Sequence, residues 1–351
     1  MNRIRVGGRW VGDGEKTFVV AEVSANHNQR LDRALEIIRA AHDCGADAIK
    51  IQTYTPDTMT IDCNREWFVV PGNTPWQGKT LYGLYGEAHT PWDWHGPLQA
   101  EAKRLGMEFF STPFDATAVN FLERLGVPAY KVASFELVDI PLLEKIAGTG
   151  RPVIVSTGMA TRAEIREAVD TLRRAGAKET VLLKCTSGYP ASPADMNLRT
   201  IPDMAREFGS LAGLSDHSLG SAAAVAAVAL GAVLVEKHFT LRRADGGPDS
   251  SFSMEPAEFK TMVADIRLVE QALGRVNYEP TASERTSLVF RRSLFVVADV
   301  KRGEPFTPAN VRAIRPGQGL HTRHLKEILG RKAACDIARG TPLSWDLVSN
   351  Q

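Results

Sequence analysis

Two short clusters, Ser215-Asp216-His217 and Glu236-Lys237-His238, carry residue types that can bind a divalent ion. Each ends a short apolar run within the stretch Gly213 to Asp249, and an Ala/Val-rich segment of helical length separates them. If both runs are parallel strands of one sheet, the helix between them returns the chain to the same edge, and the two histidines emerge side by side. Neutral imidazoles beside carboxylates are borderline ligands for a divalent ion. A histidine pair taken alone is more often a pair of core or capping residues, so a metal role requires matching chemistry elsewhere in the chain.

That chemistry is carried by lysines. Lys50 stands between Ile49 and Ile51, two residues before Gln52, so Lys50 and Gln52 share one face of a strand. An ammonium in such a run is costly to bury unless an anion pairs with it. Lys131 and Lys184 repeat the pattern in two further runs. Lysine binds phosphate and carboxylate as a point charge, and hydroxyls add hydrogen bonds. Ser111, Thr112, Ser134, Ser156, Thr157, Thr186 and Ser187 supply such hydroxyls at the ends of the same runs. The pattern predicts a site for a small phosphorylated acid with a divalent metal at its far side; Glu22 and Glu136 also stand at strand ends, where Glu22 could simply pair with a lysine. Asp216 is expected to orient an imidazole, His27 to stabilise a turn between Asn26 and Asn28, and His89 and His95 to pack beside tryptophans.

The elements that must position these residues alternate. Strands are predicted at Phe18–Val23, Ala46–Gln52, Met107–Thr112, Pro128–Ala133, Pro152–Thr157 and Thr180–Cys185, with two more in the opening stretch. Helices are predicted over Leu31–Cys44, Trp92–Leu105, Asp115–Leu125, Asp139–Ala147, Thr161–Ala175, Leu198–Phe208 and Glu255–Leu273, with the Ala/Val-rich segment as the eighth. Thr161 and Glu164 have the spacing of a capping box. Eight strands alternating with eight helices imply a parallel sheet with helices outside and match an α/β fold, the closed (β/α)8 TIM barrel, whose active site gathers residues from strand C-termini. A doubly wound open sheet is the alternative, and the lack of GxGxxG at the first strand–helix turn disfavours its dinucleotide-binding form. The lead-in before Phe18 reads as polar. Residues 53–91 form a long insertion with Trp67, Trp76, Tyr82 and Tyr85, a lid or an oligomer contact. The expected organisation is a barrel over 1–280, a charged linker over 281–292 and a small domain of short strands and turns over 293–351.

The 351 residues are 44% apolar and 24% charged with net charge +1, which points to no nucleic-acid or membrane-surface partner. Cys44, Cys63, Cys185 and Cys335 are scattered without CxxC spacing, so neither a disulfide framework nor a structural zinc site is expected, and a reducing compartment fits. The N-terminus lacks an apolar signal-peptide core, and the run Ala222–Val235 is too short to span a bilayer, so the expected location is cytoplasmic.

In order along the chain, AEVSANHN (21–28), KIQTY (50–54), STPFD (111–115), YKVAS-E (130–136), STGMA (156–160), KCTSGYP (184–190), GLSDHS (213–218), EKHFT (236–240) and GGPD (246–249) resemble the sialic acid synthase family, phosphoenolpyruvate-dependent synthases of nine-carbon acidic sugars. RSLFV (292–296), KRGEPFT (301–307) and IRPGQGL (314–320) resemble the antifreeze-like (SAF) domain of the same enzymes. The resemblance implies condensation of phosphoenolpyruvate with an open-chain acetamido sugar, releasing phosphate, in a domain-swapped homodimer. It implies that Lys50, Thr112, Lys131, Ser134, Ser156, Ser187 and Ser215 hold phosphoenolpyruvate, with Ser187 a departure from the Asn common there. It implies that His217 and His238 bind Mn2+ or Mg2+, with Co2+ a third candidate, and act with Glu22 and Glu136 in catalysis. Gln52, Tyr189 and Asp249 are implied to hold the sugar, with Arg315 reaching across from the other subunit. LYGLYGEAHTPWDWH (81–95) resembles the branch acting on a 2,4-diacetamido-2,4,6-trideoxy-L-altrose, the alternative being the branches that make N-acetylneuraminate or legionaminic acid. Two more distant readings are a barrel metal-hydrolase, whose His-x-His pair the first strand lacks, and a non-catalytic sugar-binding barrel.

Overall fold

The computed structural model describes residues 2–72 and 74–349. Two short antiparallel strands open the chain, β1 (Arg3–Val6) and β2 (Arg9–Gly12), paired as Arg3↔Gly12 through Val6↔Arg9. The lead-in, read from the sequence only as polar, is therefore a hairpin. Its signal was the alternation Arg3-Ile4-Arg5-Val6 running into Gly7-Gly8.

Among the described residues the alternating pattern then folds as eight strands and eight principal helices, with two further short helices interposed. In chain order these are β3 (Phe18–Glu22), α1 (Leu31–Asp43), β4 (Ala48–Thr53), α2 (Pro56–Met59), α3 (Leu81–Ala88), α4 (His95–Arg104), β5 (Glu108–Pro113), α5 (Ala116–Leu125), β6 (Tyr130–Val132), α6 (Ile140–Ala147), β7 (Val153–Ser156), α7 (Arg162–Arg174), β8 (Thr180–Cys185), α8 (Thr200–Phe208), β9 (Leu211–Asp216), α9 (Ala222–Ala229), β10 (Leu234–His238) and α10 (Pro256–Leu273). β3 to β10 close into a parallel barrel in sequence order, sealed by β10 against β3. The barrel expectation holds, and the open-sheet alternative does not. The two short helices α2 and α3 lie within the insertion 53–91.

Side-chain alternation divides the core into two layers. Residues such as Val19, Ile49, Ile51, Val155 and Leu182 point outward and join the helices' apolar faces. Phe18, Val20, Ala48, Phe110, Ile154, Val181, Leu183 and Leu234 point inward and pack with Ile4, Val6 and Val11 of the hairpin. The hairpin thus plugs the end of the barrel where the strands begin, and the polar residues are left for the other end. At Gly213 an added Cβ would lie 2.3 Å from Leu234 O and 2.8 Å from Leu183 Cδ2, so the inward position there admits no side chain. Helix starts follow their sequence signals. Thr161 Oγ1 accepts from Glu164 N at 3.3 Å while Glu164 Oε2 accepts from Thr161 N at 2.7 Å, the reciprocal capping box.

The chain divides into two compact units, Met1–Gly274 and Arg275–Gln351. In the second, α11 (Ala282–Arg285) lies in the segment expected as a linker, followed by β11 (Ser293–Val296), β12 (Val311–Ile314) and α12 (Leu325–Ile328). β11 and β12 pair antiparallel around their own core of Leu294, Val296, Val300, Phe306, Val311, Ile328 and Leu343.

Candidate active site

Period-two alternation decides which strand residues can meet at the polar end of the barrel. Continuing inward from the apolar plug, it selects Glu22, Lys50, Gln52, Thr112, Lys131, Ser156, Cys185, Ser215 and Glu236. His238, two beyond Glu236, keeps the inward face. Lys50 Nζ lies 2.6 Å from Glu22 Oε2 and 3.5 Å from Glu236 Oε1, and donates to Thr112 Oγ1 at 3.1 Å. Lys131 Nζ donates to Ser156 Oγ at 2.6 Å and to Val132 O at 3.2 Å, and lies 3.8 Å from Glu236. Gln52 Nε2 donates to Glu22 Oε1 at 3.3 Å and Ser24 Oγ at 3.0 Å, and Ser24 Oγ donates in turn to Asp249. One network of hydrogen bonds and ion pairs therefore spans the barrel mouth from Asp249 to Ser156.

The third lysine does not belong to it. Lys184 falls on the outward parity of β8, is only half-buried, and turns its Nζ back onto Cys185 O at 2.8 Å, so Cys185 takes the inward position. The same parity corrects Asp216. It faces outward and pairs with Lys237 at 2.7 Å rather than orienting an imidazole. Of the minor histidines, His27 keeps its turn and also sets its ring 5.5 Å from Trp94, whereas His95 packs on Phe121 at 5.1 Å instead of on a tryptophan. His27 Nδ1 accepts from Gln29 N at 3.1 Å within its turn, His89 Nδ1 lies 2.9 Å from Gly86 O, and buried His95 meets Thr53 Oγ1 at 2.7 Å.

Two lysines and two carboxylates at such distances perturb one another. Burial lifts Glu22 to about 7; Lys50 opposes the shift and Glu236 adds to it. Burial would lower Lys50, but Glu22 and Glu236 more than reverse that and hold it above its usual range. Lys131 is lowered by burial despite the pull of Glu236. Glu22 is thus close to taking up a proton near neutrality, which would leave the cluster with an excess of positive charge. An anion of the size of a small phosphorylated acid would supply the missing negative charge.

A second set of polar groups comes from the loops after β6, β7 and β8. A Cβ added at Gly158 would lie 2.2 Å from Ser187 Oγ and 2.7 Å from Ser134 Oγ, and Gly158 N donates to Ser134 Oγ at 3.1 Å. The glycine lets two hydroxyls and a backbone N–H converge, a grouping suited to a tetrahedral anion. Ser215 is buried and stands opposite Glu236 and Cys185 in the ladders on either side.

The imidazoles of His217 and His238 stand with ring centroids 5.3 Å apart. His217 Nδ1 lies 3.1 Å from Thr186 O and 3.8 Å from Cys185 Sγ. His238 Nδ1 is buried without a hydrogen-bond partner, as is Glu236 Oε2. Burial, reinforced by the neighbouring positive groups, keeps His238 well below the ordinary histidine range and so neutral. Two adjacent imidazoles, one of them neutral with an unpartnered nitrogen, fit a divalent ion that takes its remaining ligands from water or substrate. Among the described residues no three His, Cys, Asp or Glu side chains converge as a metal-binding set. An aromatic wall flanks the pair: Tyr189 is 4.4 Å from His217, Phe252 is 5.1 Å from His238, and Trp76 is 5.5 Å from Tyr189. Trp76 Nε1 donates to Pro248 O at 2.7 Å, which seats the insertion beside the site.

Glu136, in the loop after β6, has a buried Oε2 without a partner. Burial lifts it from 4.5 to about 7, with Lys131 a minor opposing influence. Because the folded chain binds this proton more tightly than the unfolded chain, the associated stabilisation is complete below 4.5 and disappears as pH rises through about 7. Glu136→Gln cannot ionise, so its stability relative to the parent should rise by on the order of 2–3 kcal/mol between about pH 5 and about pH 8. Thermal melts of both proteins across that range check it, and a pH-independent difference would refute it.

Of the expected site residues, all those on the barrel lie on strands or loops at its polar end. Arg315 instead follows β12 in the second unit. Sequence reasoning missed Ser24, Glu236, Cys185 and Gly158 as contributors. Counting back by two from His238 would have turned Glu236 inward, and Ser24 carries an unusual positive φ of 44° that no sequence signal announced.

The chain is similar to known proteins along most of its length. The NeuB family model matches residues 37–278, and the SAF domain model matches residues 291–349. A pseudaminic acid synthase of Helicobacter pylori is 44% identical over 332 residues, 93% of this chain and 96% of that one. A pseudaminic acid synthase of Campylobacter jejuni is 44% identical over 329 residues, 94% and 96% of the respective chains. The crystal structure of an N-acetylneuraminic acid synthetase from Leptospira borgpetersenii in complex with citrate superimposes with a TM-score of 0.73 at 32% identity, covering 82% of this chain and 95% of that one. A barrel matched over residues 37–278 and followed by an SAF domain, with near-full-length relatives at 44% identity, shows that the chain belongs to the NeuB family, the sialic acid synthase family.

Proposed function

We propose that the chain is a pseudaminic acid synthase, joining phosphoenolpyruvate to 2,4-diacetamido-2,4,6-trideoxy-L-altrose with release of phosphate. The observation that carries the chemistry is the convergence of two buried lysines and a hydroxyl cradle opposite a pair of buried imidazoles. The 44% identity to pseudaminic acid synthases over nearly the whole chain supports the choice of sugar.

In this reading Lys50 and Lys131 hold the anionic groups of phosphoenolpyruvate, with Thr112, Ser134, Ser156, Ser187 and Ser215 supplying hydrogen bonds that orient its enol carbon. C3 of the donor forms a bond to the aldehyde carbon of the sugar, water adds at C2, and the bond from C2 to the phosphate oxygen breaks. His217 and His238 are the residues that would hold Mn2+, Mg2+ or Co2+, which when bound supplies Lewis acidity to the aldehyde oxygen. Glu22, whose carboxyl is lifted to about 7 and so is partly protonated near neutrality, can donate that proton to the oxygen that becomes a hydroxyl. Gln52, Tyr189 and Asp249 face the sugar, with the partner subunit's Arg315 completing the site in a domain-swapped homodimer. A cytoplasmic location suits a consumer of phosphoenolpyruvate, and among the described residues no helix is long and apolar enough to cross a membrane.

Phosphate release measured with phosphoenolpyruvate and each sugar in turn tests the reading. The diacetamido altrose is expected to be turned over at least about 100-fold more efficiently than N-acetylmannosamine, the scale of discrimination that buried polar contacts provide. Turnover of N-acetylmannosamine alone would move the assignment to the N-acetylneuraminate branch.

A further inference from the structure

The residues immediately before the two histidines take no part in the reaction proposed above, yet they form a fully buried ion pair in the first unit. Asp216 and Lys237 have side chains 0% and 1% exposed and lie on the outward face of β9 and β10, away from the site. Lys237 Nζ donates to Asp216 Oδ2 at 2.7 Å, to Gly220 O at 3.1 Å and to Ser218 O. Asp216 Oδ1 accepts from Ser218 N at 2.8 Å and from Ser218 Oγ at 2.7 Å. Three ammonium donors and both carboxylate oxygens are therefore satisfied. A pair buried this deeply gains little stability over apolar residues of similar size, because desolvation offsets its attraction; its best-attested use is to fix one register.

The register it fixes is the one that matters here. Asp216 and Lys237 are partners in the β9–β10 ladder, the last such pair before the strands separate. The next residue on each strand is a histidine. His238 stays in β10, but His217 lies just past the end of β9, where the backbone has left the ladder. The ion pair reaches across that gap, because Lys237 also holds the carbonyls of Ser218 and Gly220 on the far side of His217. A slip of one residue would turn one imidazole out of the barrel.

We infer that Asp216 and Lys237 are positioning residues that set the spacing of the His217 and His238 imidazoles for a divalent ion. The inference rests on the reading of those histidines as metal ligands. Calorimetric titration of Mn2+ into the metal-free full-length protein tests it, alongside metal-free melting and metal-free phosphoenolpyruvate binding. Lys237→Gln is expected to weaken Mn2+ binding at least about tenfold, as loss of an outer partner does at other metal sites, while phosphoenolpyruvate binding stays within about threefold. Ser218→Ala keeps both charges paired and removes only a hydroxyl contact, so it should fold and weaken Mn2+ by about threefold. If Lys237→Gln fails to fold, Ser218→Ala decides. His238→Ala should abolish Mn2+ binding. Parental Mn2+ affinity in the positioning variants, with binding lost in His238→Ala, overturns this inference alone. Parental affinity in His238→Ala as well overturns the metal reading beneath it. A parallel loss of Mn2+ and phosphoenolpyruvate binding in the positioning variants marks general loosening and also overturns the inference.

Discussion

Lys131→Met is expected to lower kcat/KM for phosphoenolpyruvate by about 30- to 5,000-fold while the barrel still folds, since truncating one member of a buried charge contact costs roughly 2–5 kcal/mol. Lys131 touches Ser156 and Val132 O and stands 3.8 Å from Glu236. Its loss leaves Glu236 with a second cation, because Lys50 stands 3.5 Å from the same oxygen. Lys50 has no such substitute: it is the ion-pair partner of Glu22 at 2.6 Å and also serves Glu236. Lys50→Met strands a buried carboxylate and should therefore lose several kcal/mol more of stability than Lys131→Met, about 3–5 kcal/mol in all if Glu22 cannot fully neutralise itself. Denaturant unfolding of both variants, with steady-state kinetics of whichever folds, measures the two effects. Near-parental kinetics in Lys131→Met would remove the lysine from the donor site.

The second large effect concerns the imidazoles. His238→Ala, His217→Ala and chelation of the parent are each expected to lower phosphate release by about 1,000-fold or more, because Lewis-acid assistance supplies several kcal/mol to the barrier. The three should converge on one residual rate, and added Mn2+ should restore only the chelated parent. Phosphoenolpyruvate binding should survive in all three, since both lysines and every one of the hydroxyls that hold it except Ser215 approach from strands and loops other than those carrying the histidines. His238 is the more informative position. Its ring packs on Phe252 and its Nδ1 has no protein partner, so removing it breaks no hydrogen bond. Substitution of His217 also frees Thr186 O and disturbs Cys185 and Tyr189. Activity that resists chelation and persists in both variants would exclude the metal role.

The βα alternation, the helix caps and the crowding of hydroxyls, lysines and histidines at strand ends could all be read from the chain, because strand and helix periods are local properties of a sequence. Face selection was only partly legible. Lys50 and Lys184 look alike as lysines in apolar runs, yet one is inside the barrel and the other outside. The difference is parity relative to the apolar plug, which requires knowing where each strand enters the barrel. The same ambiguity hid Glu236 behind its neighbour Lys237 and gave Asp216 a direct contact with the His217 imidazole that its outward face does not allow. Pairing across the closed barrel was not legible at all. Glu22 meets Lys50, and Glu236 lies near both lysines, through contacts spanning up to 186 positions of sequence, from Lys50 to Glu236. The sequence by itself determined the periodicity, the kinds of chemistry and the order of the units. Only the tertiary structure decided which charges are paired, because burial and closure bring distant carboxylates within about 4 Å of the lysines, where low dielectric makes each contact count.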